Sequence, residues 1–297
     1  MCYEFLKINC VESVSEIERF IKSKVEGLNR NGVVLGLSGG LDSTVVAYLS
    51  VRSLGKNKVF ALFLPERDSS AESEKDVLLV RDKLGIRLEI KSLTPCLKTL
   101  GCYSTSVSKA LKTKMFTRLS YKALSKTTGL NFFLENLKGS SNKLLGQAIA
   151  SYRIKHRLRM VTLYQYAESH NLAVLGCANK TERMVGFFVR YGDDSGDILP
   201  IVHLYKTQVQ SLAEYLGIPE RILEKAPTPD LFPGLTDEEL MRMKYQDLDP
   251  ILYHLEKNIP PNKITQLLSL PLDKVEYVQK IIEFSAYLRQ SPYSLER

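Results

Sequence analysis

The stretch from Gly32 to Leu54 constrains this chain more than any other. Gly32-Val33-Val34-Leu35-Gly36-Leu37 is a short apolar run suited to a strand buried on both faces, and Ser38-Gly39-Gly40 is a turn. Ser43 to Leu54 then sets Val45, Val46, Leu49 and Leu54 at helical spacing. The alternation repeats: Lys58 to Leu64 (KVFALFL) reads as a second strand, Glu72 to Leu84 as a helix and Ile86 to Ile90 as a third strand. A long helical pattern from Asn142 to Ser169 feeds a fourth strand, Leu172-Ala173-Val174-Leu175. Strands and helices in that order imply βαβ crossovers, so the expected class is α/β, a doubly wound parallel sheet covered on both faces. An amphipathic helix through Ile17, Phe20, Ile21 and Val25 opens the chain. Beyond Pro200 the pattern is mainly helical, at 206–216, 219–224, 246–257, 260–268 and 272–288, with Pro227, Pro229 and Pro233 marking a rigid loop. No clear linker divides it, so residues 1–297 read as one domain with a helical C-terminal extension over 245–297.

A hydrophobic share of 44% over 297 residues can bury a sizeable core, which sets aside disordered and disulfide-stapled classes. No run approaches the roughly 18 apolar residues of a membrane span, and Glu4 interrupts any signal-peptide core, so a cytoplasmic location with no membrane partner is expected. The cysteines at 2, 10, 96, 102 and 177 contain no Cys-x-x-Cys pair and read as reduced thiols. His156 and His203 stand isolated and read as ordinary satisfied or surface histidines.

The net charge of +8 has a single source. Between Cys96 and Lys143 nine basic residues face one acidic residue, Glu135, and the rest of the chain is neutral. The segment 95–140 therefore reads as a basic insertion of short helices and loops, either a solvated excursion or a surface for a phosphate-bearing partner.

The turn after the first strand carries chemistry. In Ser38-Gly39-Gly40-Leu41-Asp42-Ser43-Thr44 two glycines let the backbone approach phosphate oxygens, hydroxyls add donors, and the following helix presents its positive end. Asp42 can hold Mg²⁺ against those oxygens. The pattern is neither Gly-x-x-x-x-Gly-Lys-Ser/Thr nor Gly-x-Gly-x-x-Gly, so it reads as a different polyphosphate loop.

That loop, SGGLDS, resembles the SGGxDS loop of N-type ATP pyrophosphatases, with the adenine nucleotide alpha hydrolase-like fold that the likeness implies. Further strings resemble the ammonia-dependent NAD synthetase family within it: Lys155 to Met160 (KHRLRM), Gly176 to Glu182 (GCANKTE), Gly186 to Asp193 (GFFVRYGD), Asp197-Ile198-Leu199-Pro200, Leu204 to Val209 (LYKTQV) and Pro227-Thr228-Pro229-Asp230-Leu231. The resemblance implies conversion of deamido-NAD, ATP and ammonia to NAD, AMP and pyrophosphate through an acyl adenylate, in a homodimer using Mg²⁺. It assigns Asp42 and Glu182 to the metal, and Ser38, Gly39, Gly40, Leu41, Asp42, Ser43, Thr44, Cys177, Lys206 and Thr228 to ATP. Arg157, Arg190 and Asp197 go to deamido-NAD with Tyr164 stacking, and Asp193 joins Asp42, Glu182 and Lys206 at the reacting groups.

Three positions depart from the family pattern. Cys177 stands in place of threonine, Arg190 in place of lysine, and Tyr287-Leu288-Arg289 aligns with a His-Lys-Arg string, so two substrate contacts are missing. A different carboxylate acceptor is therefore a second reading. An RNA-modifying pyrophosphatase is a third, weakened by the absence of Cys-x-x-Cys, and a non-catalytic homologue is at odds with intact Asp42, Glu182 and Lys206. The residues ahead of Ser38 are too few for a glutaminase domain, so ammonia is expected free or from a separate glutaminase.

Overall fold

Four short strands form one parallel sheet: β1 (Gly32–Gly36), β2 (Val59–Phe63), β3 (Arg87–Ile90) and β4 (Leu172–Leu175), in the order β3-β2-β1-β4. The register pairs Val33 with Val59, Val33 with Ala173, and Phe60 with Arg87. The computed structural model describes residues 3–104, 131–139, 143–227 and 235–295. Among them the helices are α1 (Cys10–Gly27), α2 (Leu41–Leu54), α3 (Ala71–Leu84), α4 (Thr94–Thr99), α5 (Phe132–Lys138) and α6 (Lys143–His170), then α7 (Lys180–Val185), α8 (Lys206–Tyr215), α9 (Glu220–Leu223), α10 (Asp237–Met241), α11 (Tyr245–Glu256), α12 (Pro261–Leu268) and α13 (Leu272–Ser285).

The strand period of two sorts side chains between two cores. Val33, Leu35, Val59, Ala61, Ala173 and Leu175 join α1, α2, α3 and α8 on one face. Val34, Leu62, Leu172 and Val174 join α4 and α6 on the other. Because both faces are covered, β1 and β4 read as unbroken apolar runs. β3 lies at the edge, is mostly exposed, and sets the Arg87 guanidinium 5.3 Å over the Phe60 ring, a charged edge that discourages pairing with another chain.

A third cluster is mainly helical. Phe133 and Leu137 of α5, Val185 of α7 and the apolar stripes of α11, α12 and α13 pack together. The predicted helix at 272–288 ends at Ser285 and tightens to a 3₁₀ turn over Ala286–Arg289. Most of the predicted basic insertion, residues 105–130, lies outside the described residues, as does Thr228.

The order also fixes where a ligand fits. From β1 the chain moves outward through β2 to β3, then returns by α6 to β4 on the other side of β1. Loops leaving β1 and β4 thus part at their carboxyl ends, the switch point where open α/β sheets bind ligands.

Candidate active site

The first wall of the site is the turn from β1 into α2. Gly40 is the N-cap of α2, and the Ser43 hydroxyl donates to the Gly40 carbonyl at 3.2 Å while accepting from the Ser38 N–H at 3.3 Å. Thr44, fully buried, ties its hydroxyl to the same carbonyl at 2.8 Å. Gly39 has φ +74°, and a Cβ there would sit 2.8 Å from the Ser73 carbonyl and 2.9 Å from the Asp76 Cβ of α3. Only glycine fits this turn. The Lys225 ammonium donates to the Gly39 carbonyl at 3.2 Å and to Asp76 at 2.7 Å, pinning the loop from a second side.

The second wall follows β4. Asn179 caps α7, its Oδ1 accepting from the Glu182 N–H at 2.9 Å while Glu182 accepts from the Asn179 N–H at 3.2 Å. Its Nδ2 donates to Asp42 at 3.0 Å, so one buried amide joins the two loops across the switch point. Lys206, the first residue of α8, donates from Nζ to the other Asp42 oxygen. Its backbone N–H donates to the Thr181 hydroxyl at 2.9 Å. That hydroxyl donates to Asp249 at 2.6 Å, and Asp249 also accepts from the Thr207 N–H at 2.8 Å. A fully buried carboxylate on α11 therefore caps α8 and holds Lys206 at its start.

These walls enclose a cavity of about 700 Å³. Ser38, Gly40, Leu41, Asp42, Ser43, Cys177, Glu182, Asp193 and Lys206 line it, with His156 and Asp237, which sequence reasoning left out of the site. Burial and the neighbouring Asp42 push the Glu182 carboxyl well above the ordinary range, against the pull of Lys206. Burial likewise raises Asp237 to about 6, again against Lys206. Burial draws the Lys206 ammonium down, but the charges of Asp42, Glu182 and Asp237 outweigh it and hold Lys206 protonated. The Cys177 thiol is pushed up by burial and by Asp42 and Glu182, so it stays neutral.

Three carboxylates thus share one lysine. Asp237 accepts from the Tyr245 hydroxyl at 3.1 Å, while its Oδ1 is buried with no hydrogen-bond partner. Hard oxygen donors with surplus negative charge suit Mg²⁺, which also draws ligands from substrate phosphates. Among the described residues no three acidic, histidine or cysteine side chains make a complete metal cage.

Asp193 lies on the cavity wall, where its Oδ1 accepts from the Val189 N–H at 2.7 Å and its Oδ2 sits 3.2 Å from His156 Nδ1. Burial raises this carboxyl, but the neighbouring His156 and these hydrogen bonds hold it below its ordinary value. The other predicted substrate residues do not line this cavity. Tyr164 donates to Asp197 at 3.3 Å, and Asp197 accepts from the Val174 N–H at 2.8 Å, beside β4. The Arg157 side chain donates to the Arg190 carbonyl at 3.2 Å, and Arg190 donates to the Gln290 carbonyl at 2.7 Å.

At the C-terminal departure, Tyr287 is exposed and Leu288 is buried in the helical core. Arg289 donates to the carbonyls of Arg183, Met184 and Ile282 at 2.7–3.1 Å and to the Ser285 hydroxyl at 2.8 Å, which makes it a clamp on the ends of α7 and α13.

A doubly wound parallel sheet with an anion-shaped loop at its switch point defines a nucleotide-binding α/β protein. The sequence profile of NAD synthase matches residues 13–125 and 104–292, and the chain belongs to that family. It is 44% identical to the NH3-dependent NAD+ synthetase of Thermotoga maritima over 94% of this chain and 97% of that one. It is 37% identical to that of Methanocaldococcus jannaschii over 95% of each. The solved structure of NMN synthetase from Francisella tularensis superposes with a TM-score of 0.74 at 26% identity, covering 98% of this chain and all of that one. The NH3-dependent NAD synthetase of Campylobacter jejuni, in complex with nitrate, gives 0.71 at 25% identity, covering 98% of this chain and 100% of that one.

Proposed function

We propose that the chain is an ATP-dependent amide-forming ligase that converts deamido-NAD, ATP and ammonia to NAD, AMP and pyrophosphate. The observation that carries this reading is the cluster in which Asp42 accepts from both Asn179 and Lys206 at the mouth of the phosphate loop, with Glu182 one helical turn beyond Asn179 on α7. The 44% identity to a named NH3-dependent NAD+ synthetase supports the substrate.

In the first half-reaction a pyridine carboxylate oxygen attacks the α-phosphorus of ATP and the bond to the β-phosphate breaks. The N–H groups of the Ser38–Ser43 loop and the start of α2 receive the departing pyrophosphate. Lys206, kept protonated and fixed by Asp42, supplies a positive charge where negative charge builds. Asp42 and Glu182 are the residues that would hold Mg²⁺, with Asp237 beside them; the ion, when bound, neutralises phosphate oxygens. In the second half-reaction ammonia displaces AMP from the acyl adenylate, next to Asp193. Ammonia arrives free or from a separate glutaminase, and the working enzyme is a cytoplasmic homodimer in this reading.

A second acceptor has an observation of its own. Leu288 is buried and Tyr287 carries no charge, so neither of the two positions that depart from the family's His-Lys pair supplies a cation for a phosphate of the dinucleotide. A relative of known structure is an NMN synthetase, which favours nicotinate mononucleotide as that alternative. Release of AMP and pyrophosphate from Mg-ATP and ammonium decides between them. With deamido-NAD present, stoichiometric NAD is expected, and Asp42→Ala is expected to lower it at least about 10²-fold. Turnover of nicotinate mononucleotide alone would move the assignment to the mononucleotide, and AMP release with neither would overturn the ligase reading.

A further inference from the structure

The amidation half-reaction needs a proton acceptor, because ammonium has no lone pair with which to attack a carbonyl. The cavity holds a side chain suited to that task and used by nothing else in the mechanism. His156 of α6 lines the cavity with its side chain only 12% exposed, and its Nδ1 lies 3.2 Å from the Asp193 carboxylate. The Tyr152 ring, one turn earlier on α6, packs edge-on against the imidazole with centroids 4.6 Å apart. Gly192 approaches the root of the same side chain so closely that an added Cβ would lie 3.0 Å from the His156 Cβ. The ring is thus fixed in position. Asp193 is fixed in turn by the Val189 N–H at 2.7 Å.

A carboxylate on one ring nitrogen commits that nitrogen to carrying the proton, leaving Nε2 as the acceptor. No other hydrogen bond of the imidazole is found among the described residues. This is the arrangement in which a carboxylate orients a histidine base, met on many unrelated folds and recognised by geometry. The charged and titratable groups sharing the cavity include Asp193 on the loop after α7, Tyr152 and Arg159 on the same helix, and Asp42, Glu182, Lys206 and Asp237 of the phosphate-loop end.

We infer that His156 is the catalytic base of the amidation step, taking a proton from ammonium at Nε2 while Asp193 holds its Nδ1–H. The inference rests on the ligase reading above. As the first proton passes to Nε2, the freed nitrogen lone pair forms the C–N bond at the acyl carbon. The C–O bond to the adenylate then breaks, AMP leaves with that electron pair, and the second surplus proton on nitrogen passes to solvent. Asp193 is a positioning residue in this scheme.

Hydroxylamine provides the test, because it is neutral at pH 7.5 and attacks an acyl adenylate without prior deprotonation. His156→Asn keeps an N–H donor toward Asp193 and removes the Nε2 lone pair. With Mg-ATP and the carboxylate that wild type turns over, kcat for the amide from ammonium is expected to fall about 10²-fold in this variant. Hydroxamate formation from hydroxylamine is expected to stay within about threefold of wild type, since only the deprotonation is lost. An equal fall with both nucleophiles, or no fall with either, would overturn the base assignment while leaving the ligase reading intact. A wild-type enzyme that releases AMP with neither carboxylate would overturn the ligase reading and this inference together.

Discussion

At the scale of single residues, Asp237 shows how far the site departs from what stability alone would select. Its carboxyl is buried, one oxygen lacks a partner, and burial raises it from an ordinary 3.8 to about 6. A carboxyl whose folded value lies above its unfolded value keeps its proton in the native state between those pH values, while the unfolded chain has lost it. Stability therefore falls as pH rises from about 4 to about 6, and above that the ionised group is a standing cost of about 2–3 kcal/mol. Asp237→Asn preserves an acceptor for Tyr245 and removes the charge. In the metal-free protein at pH 7.5 the variant is expected to be more stable than wild type by up to that amount, with the gap closing at pH 4. Urea denaturation at both pH values checks this, and a gap of the same size at each would show that burial of the charge is not its source. A residue that costs stability without metal and lines the cavity is one retained for the site's chemistry. Sequence alone could not single it out. Asp237 follows a capping threonine in a Thr-x-x-Glu box and reads as ordinary first-turn acid.

At the scale of elements, the site depends on helices that never touch it. α7 has six residues, too short to hold its direction unaided, yet it presents Glu182. Asn179 fixes its first turn, and Arg289 reaches its last carbonyls from the far end of the chain. Removing that guanidinium in Arg289→Ala takes the charge-assisted hydrogen bonds from the Arg183, Met184 and Ile282 carbonyls and leaves them the Gly186 N–H and the Ser285 hydroxyl, at 3.1–3.4 Å. The expected cost is about 2–3 kcal/mol, together with a several-fold rise in KM for Mg-ATP as α7 loosens. Urea unfolding and initial rates measure the two effects, and a fall in stability with an unchanged KM would show that α7 holds its direction without the clamp. The long elements were legible in advance: the strands at 59–63 and 172–175 and the helices α6 and α8 follow from apolar spacing that one buried face requires. The short helices α4, α7 and α10 were not, because one turn carries too few apolar positions to establish a period, and tertiary bonds such as Arg289 to Met184 decide them. The same limit applied to His156. Isolated in sequence, it meets Asp193 only because the loop after α7 folds back against α6.

For the whole molecule the question is whether the sheet and the helical C-terminal cluster behave as one body. The expectation from sequence is a single domain over 1–297, and we propose that the folded chain behaves as one. Asp249 of α11 caps α8, whose Val209 and Leu212 lie in the core under the sheet, and Gln208 of α8 donates to the Leu6 carbonyl near the start of the chain at 3.0 Å. Buried polar bonds that cross between two cores resist separate opening, because each would leave an unpaired group behind. Heating monitored by circular dichroism and by tyrosine fluorescence is therefore expected to give one coincident transition. Mg-ATP at about 100 times its Kd stabilises the native state by about 2.7 kcal/mol, which moves that transition up by roughly 5 °C. Both probes should move together, since Asp42 lies at the sheet and Lys206 is held in place by α11. Two transitions, with only one displaced by Mg-ATP, would divide the chain into independently folding units and place the nucleotide on one of them.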